Sequence, residues 1–139
     1  MASLIADNAT KYATGPIGSN IVDQGYSKSG VRVMHDTYTF AAAAIADTLT
    51  VGEILPVGAV ILRITLQNAA LGAATTLSIG DAGSATRYSP AIATSAAAST
   101  LSSLNMGRKV TGTSDTRIIL TLAGGVATGA IAVSIEYPL

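Results

Sequence analysis

From residue 31 onward the chain repeats with a period of two. Val60, Leu62, Ile64 and Leu66 alternate with Ile61, Arg63, Thr65 and Gln67, which places four aliphatic side chains on one face of a strand and mostly polar ones on the other. Thr116, Ile118, Leu120 and Leu122 alternate with Arg117, Ile119 and Thr121 in the same way. Ile131, Val133, Ile135 and Tyr137 then alternate with Ala130, Ala132, Ser134 and Glu136. These segments predict half-buried strands, and shorter ones fit residues 32–40, 48–51, 75–79, 87–89 and 106–111. Turn signals fall between several of them: Pro56 with Gly58, Gly80 and Gly83 around Asp81, residues 112–115, and Gly124 with Gly125. About eight short strands at this spacing predict an all-β sandwich or barrel. The glycine pair predicts a hairpin joining the last two strands, and the final strand, through Glu136, Tyr137 and Pro138, is expected to be tied into a sheet. Two Ala-rich stretches fit less well. Residues 41–46 suit helical turns, and the Ser and Thr content of residues 91–101 points to a loop.

Residues 1–30 keep neither period. Ser3, Asp7, Asn8, Thr10, Lys11, Gly15, Pro16, Gly18 and the residues that follow them leave only scattered hydrophobics, so this stretch reads as an extended N-terminal arm. It is either disordered or ordered against a neighbour. The division expected is therefore an arm over residues 1–30 and a β-sandwich domain over residues 31–139, with no internal repeat and no second domain boundary.

Composition narrows the functional classes. A chain of 139 residues fits one domain and buries roughly two-thirds of its unfolded surface, enough for a core without disulfides or metals. With no Cys, no Trp, one Phe and five Tyr, that core must be aliphatic and invites partner subunits to complete it. Lys plus Arg and Asp plus Glu are 8 each, so no basic cluster offers itself to a phosphate backbone, and nucleic acid is not an expected partner. A charge-poor surface also keeps copies apart poorly, which suits a protein that lives in assemblies. The first 15 residues lack the pattern of a signal peptide, and the apolar run at residues 40–46 is far short of the roughly 20 a membrane helix needs. The expectation is a soluble protein made in the cytosol, with no membrane partner.

Chemistry-bearing residues are few. The single His, His35, adjoins Asp36 on a strand, so the two side chains should point to opposite faces and cannot act as a pair. A Ser-His-Asp hydrolase would have to use His35, yet no Gly-x-Ser-x-Gly elbow occurs. Gly80-Asp81-Ala82-Gly83-Ser84 lacks the Lys and following helix of a phosphate loop and reads as a turn, with Asp81 bonding nearby backbone. Among Glu53, Glu136 and the aspartates at 7, 23, 36, 47, 81 and 115, no spacing selects a glycosidase pair. Tyr12, Tyr26, Tyr38, Tyr88 and Tyr137 are dispersed and suit core edges or interfaces better than a row for stacking on sugars. Asn8-Ala9-Thr10 matches a glycosylation acceptor by chance composition. No catalytic residue, cofactor or metal site is expected, and the chain is read as a non-enzyme; Arg63, Arg87 and Arg117 stand out only as charges on strands.

Two stretches carry a resemblance. Leu55-Pro56-Val57-Gly58-Ala59-Val60-Ile61-Leu62, followed by Leu77-Ser78-Ile79-Gly80-Asp81-Ala82-Gly83-Ser84-Ala85-Thr86-Arg87-Tyr88, resembles small structural proteins of tailed bacteriophages, and among them capsid decoration (cement) proteins. The resemblance covers roughly residues 49–88 and the closing strands. It implies a compact jelly-roll-like β-sandwich, commonly a homotrimer, on the outer surface of the phage head, where it braces contacts between major capsid protein subunits. The N-terminal arm has no counterpart in it. Ile61 and Ile119, pointing outward from their strands, are then the expected subunit contacts. The competing expectation, from a different class, is a tail or fibre sandwich that binds a host glycan.

Overall fold

The computed structural model describes residues 2–5, 31–102, 108–109 and 116–138, and these form strands and turns with no helix. In chain order the strands are β1 (Ser3–Ile5), β2 (Val31–Ala43), β3 (Thr48–Leu55), β4 (Val60–Ile61), β5 (Arg63–Asn68), β6 (Thr76–Asp81), β7 (Ser84–Ala93), β8 (Ala98–Ser102), β9 (Arg108–Lys109), β10 (Thr116–Ala123) and β11 (Ala127–Pro138). One sheet runs β1-β3-β10-β6-β7 and the other β2-β11-β5-β8, while β4 and β9 form a small ribbon. The eight long strands pair as nested antiparallel partners: β2 with β11, β3 with β10, β5 with β8, and β6 with β7. This is one long hairpin, with its tip between β6 and β7, rolled so that successive pairs fall in alternate sheets. The expected jelly-roll sandwich is the fold observed.

The period-two pattern fills the space between the sheets. Ile64 and Leu66 of β5 and Ile131, Val133, Ile135 and Tyr137 of β11 are buried on the inner face of one sheet, and Leu49, Val51, Leu77, Ile79, Ile118, Leu120 and Leu122 on that of the other. Each such side chain contributes about 1.5–3 kcal/mol by leaving water. With Phe40 the one Phe in the chain, the core is aliphatic as expected.

Four local expectations are corrected. Residues 60–67 are not one uninterrupted strand: the ladder breaks at Leu62, so Ile61 is fully buried and Leu62 is exposed. Ile61 therefore cannot be a subunit contact, and Ile119, opposite Gly80 and Thr50, is half-buried. Gly124 and Gly125 do not close a hairpin. They carry the chain from β10 in one sheet to β11 in the other, because the nested pairing reserves β2 and β5 as the neighbours of β11. Gly124 has φ of +80°, and a Cβ there would lie 2.0 Å from the Ala74 carbonyl oxygen, so the crossing demands glycine. Residues 91–101 finish β7 and form most of β8, and residues 41–46 finish β2 and turn, with Ala42 and Ala46 at positive φ. In both stretches cross-strand pairing overrides weak local preference.

Buried aspartates close the corners. Asp36 of β2 accepts from the Gly52 amide of β3 at 3.0 Å, joining the two sheets along one side. Asp47, in the turn between those strands, accepts from the Ala44 amide at 2.9 Å and from the Ala2 amide at 2.8 Å. Thr48 N–H donates to the Ala2 carbonyl, and β1 lies parallel to β3 with Ser3, Leu4 and Ile5 opposite Thr48, Leu49 and Thr50. The start of the arm is thus a strand added to the sheet edge; residues 6–30 lie outside the described residues, as do residues 103–107 and 110–115, which include most of the strand expected at 106–111.

The nested pairing gives the sandwich two distinct ends. At the first end β3, β6, β8 and β11 finish and β2, β5, β7 and β10 start. At the second end the connections 44–47, 69–75, 94–97 and 124–126 are knitted together. Thr94 N–H donates to the Thr75 carbonyl, Leu71 N–H to the Thr94 carbonyl and Thr128 N–H to the Leu71 carbonyl. The Asn68 amide adds a bond to the Ala96 carbonyl at 2.8 Å.

The break at Leu62 predicts opposite outcomes for neighbouring truncations. Ile61→Ala should cost about 2–5 kcal/mol as a buried large-to-small change and Leu62→Ala less than about 1 kcal/mol, read from urea midpoints at constant slope. The Asp47 bonds to Ala2 and Ala44 favour the ionised carboxylate and hold its pKa below the usual Asp value. Stabilisation from Asp47 is then complete above the ordinary pKa of about 3.9 and is lost as pH falls through the depressed one. Melting curves should show the wild-type advantage over Asp47→Asn undiminished near about pH 6 and shrinking below about pH 3.9.

Candidate functional site

The residues singled out for chemistry do not converge. His35 is exposed and Asp36 buried, on opposite faces of β2 as their adjacency requires. His35 Nδ1 lies 3.0 Å from Ser134 Oγ on the outer face of the second sheet, while the Asp36 carboxylate is turned inward to the Gly52 and Thr37 amides. No Ser-His-Asp relay can be drawn through them. Among the described residues no three His, Asp or Glu side chains gather as metal ligands. The described carboxylates are engaged one by one: Glu53 accepts from the Tyr137 hydroxyl, and Glu136 pairs with Arg63 at 2.6 Å. Asp7, Asp23, Asp115, Tyr12 and Tyr26 lie outside the described residues.

The string that carries the phage resemblance folds into a self-contained unit. Asp81, at the tip of the β6–β7 hairpin, accepts from the Gly83 and Ser84 amides through Oδ1 at 2.9 and 3.0 Å. Its other oxygen takes the Tyr88 hydroxyl at 3.2 Å and the Arg87 guanidinium at 2.5 Å. Gly80 is required because β7 folds back across it: a Cβ there would meet the Ser84 carbonyl oxygen at 2.0 Å. Gly-Asp and Arg-aromatic are therefore two halves of one buried polar cluster that fixes the tip at the first end. These bonds set the shape of the tip.

What remains is a set of surfaces. The large hydrophobics that stay exposed fall at the two ends of the sandwich: Val31, Val33, Ile54, Val57 and Leu62 at the first, Ile45 and Val126 at the second. The first end is also where the arm joins β2, where residues 103–107 and 110–115 enter and leave, and where the Asp81 cluster sits. The sequence pattern missed this clustering, since Val31 and Val33 look like ordinary strand residues until the topology brings them to one end with Leu62 and Val57. On the outer face of the second sheet, Ala130 and Ala132 floor a shallow trough of about 380 Å³ between Thr37 and Thr39 on one side and Gln67 and Ser99 on the other. Its one aromatic, Tyr38, packs against the core and at a steep angle to Phe40, the ring centroids 5.2 Å apart. Arg63 sits near the first end on this face, Arg87 is held by Asp81, and Arg117 is half-buried at the start of β10.

The chain as a whole is similar to solved chains from phage capsids. A chain of the "Cyanophage Pam1 capsid asymmetric unit" superposes with a TM-score of 0.70 at 30% identity, covering 86% of this chain and 92% of that one. A chain of the "Capsid of Ralstonia phage GP4" superposes with a TM-score of 0.64 at 20% identity, over 99% of this chain and 97% of that one, a likeness of fold. No protein-family model and no curated protein matches the chain.

The Asp81 cluster predicts a graded response. Asp81→Ala, which strands buried donors and a guanidinium, should cost about 3–5 kcal/mol, and Tyr88→Phe, which removes a single hydroxyl bond, about 1 kcal/mol. Thermal melts of the two variants check the order; equal effects would mean that the cluster does not act as a unit.

Proposed function

The chain belongs to the family of phage structural proteins represented by the Pam1 capsid chain, and on that premise we propose that it is a non-enzymatic capsid decoration (cement) protein. In this reading it forms a homotrimer on the outer surface of the head and braces contacts between major capsid protein subunits. The observation that carries it is the match over nearly the whole of a capsid chain by a domain in which five of the seven exposed large hydrophobics among the described residues lie at one end. Such a body docks end-on. Its knitted second end faces away, and its charge-poor surface leaves apolar contact and repetition on a lattice to supply the affinity. Nothing in this role calls for a catalytic group: it calls for a rigid core and a complementary surface. The arm over residues 1–30 joins β2 at this end and is the natural clamp.

Two measurements test this. Quantitative mass spectrometry of purified virions should give a copy number near that of the major capsid protein, whereas a few copies per particle would place the chain in the tail or a fibre, and absence would remove it from the virion. In a head-binding assay, Val33→Asp and Leu62→Asp should each weaken binding at least about tenfold, a loss of ~1.4 kcal/mol, while Val126→Asp at the second end leaves it unchanged. Equal losses at both ends would refute end-on docking.

A further inference from the structure

We propose that β1 is exchanged between copies of this chain, so that the free edge of β3 at residues 48–50 receives residues 2–5 of a second copy. The inference rests on the oligomeric part of the reading above and is independent of capsid binding.

The receiving slot is fully built. Register pairs Ser3 with Thr48, Leu4 with Leu49 and Ile5 with Thr50, and Leu4 packs against the core. Asp47, itself buried, has one oxygen fixed by the Ala44 amide, and the other accepts from Ala2. An empty slot would leave that oxygen and the Thr48 N–H without these partners and expose the apolar surface under Leu4, so some strand must fill it. This is strand addition to a sheet edge, read by backbone bonds, one apolar pocket and one carboxylate.

The tether argues for a second copy as donor. β1 runs parallel to β3 from the second end and finishes opposite Thr50, part way along β3, while β2 starts at the first end. A connection of about ten residues would cover that distance within one chain, yet residues 6–30 supply 25. At about 3.3 Å per residue these reach roughly 80 Å, about twice the roughly 40 Å diameter of a domain this size. The stretch is rich in Gly, Ser, Asn and Thr, so little in it resists extension. Among the described strands β3 is the one partner of β1, so the contacts made in trans are those available in cis, and exchange adds a subunit interface at no loss. Beside the slot, no described strand pairs with residues 51–55 of β3 on that side, and Ile54, Val31 and Val33 stand exposed. A neighbour donating its β1 lies over this corner.

Cysteine cross-linking decides the matter, because the chain has no native Cys. Paired strands lie about 4.8 Å apart, within the Cα separation a disulfide accepts. Ser3→Cys and Thr48→Cys full-length proteins, expressed separately, mixed, partly unfolded together, refolded and oxidised, should give a covalent two-chain species. The double variant should give species of two and three chains on a non-reducing gel. A double variant that closes only within single chains overturns the proposal. Should no bond form, light scattering of Leu4→Asp decides: at least a tenfold loss of oligomer supports exchange, and an oligomer of unchanged mass rejects it. Head binding is read separately, so a monomer that still decorates heads would sink strand exchange alone, and a cross-linked oligomer that ignores heads would sink decoration alone.

Discussion

The pairing of the first long strand with the last is the constraint on which the rest of this structure depends. β2 and β11 share a ladder from Ala43 opposite Ala127 to Val31 opposite Pro138, and β11 uses its other edge for β5. Once β11 is committed on both sides, β10 must enter the other sheet, and the nested pairs follow inward to the β6–β7 tip. Most of these contacts are distant in sequence, so the loop-closure cost falls before the pairing can offset it, and the topology predicts slow folding. Turn residues then serve the crossings between sheets, and this accounts for a glycine at 124 whose Cβ would strike a carbonyl of the neighbouring connection.

Buried carboxylates hold what the ladders leave open. Asp36, Asp47 and Asp81 are each nine-tenths or more buried, and each accepts from backbone amides where the chain bulges, turns or changes sheet. Each carboxylate satisfies amides that would be orphaned without it. The scarcity of charge in the sequence is therefore misleading as a guide to surface chemistry. Several of the few acidic groups are interior fasteners, which leaves the exterior plainer still.

Strand existence and core facing were legible from sequence wherever alternation was long and unbroken. Ile118, Leu120 and Leu122, and Ile131 through Tyr137, face inward as the period requires. The pattern failed at Leu62, because a one-residue break inverts every side chain beyond it and leaves no mark in an apolar run such as Val60-Ile61-Leu62. It failed again at residues 91–101, where small Ala, Ser and Thr side chains pair across β5 and β6 with little hydrophobic signal of their own. The Asp81 string was visible as a turn. Its partnership with Arg87 and Tyr88 became visible only when the tip folded back, since the residues that meet are six and seven positions away. The apolar end was not legible at all: its members come from β2, β3 and the connections around β4, and only the rolled topology assembles them.

The contrast between the two ends has a physical consequence. At the second end the connecting segments bond to one another through Thr75, Thr94, Leu71 and the Asn68 side-chain amide. At the first end hydrophobic side chains remain in water beside the point where a long polar arm attaches. With equal numbers of positive and negative groups, long-range attraction cannot hurry such a body toward a partner or orient it. Residence must come from slow dissociation, through apolar contact and through several attachment points engaged together. The strand exchange proposed above would supply that multiplicity, because each copy would then come away only when its neighbours release it.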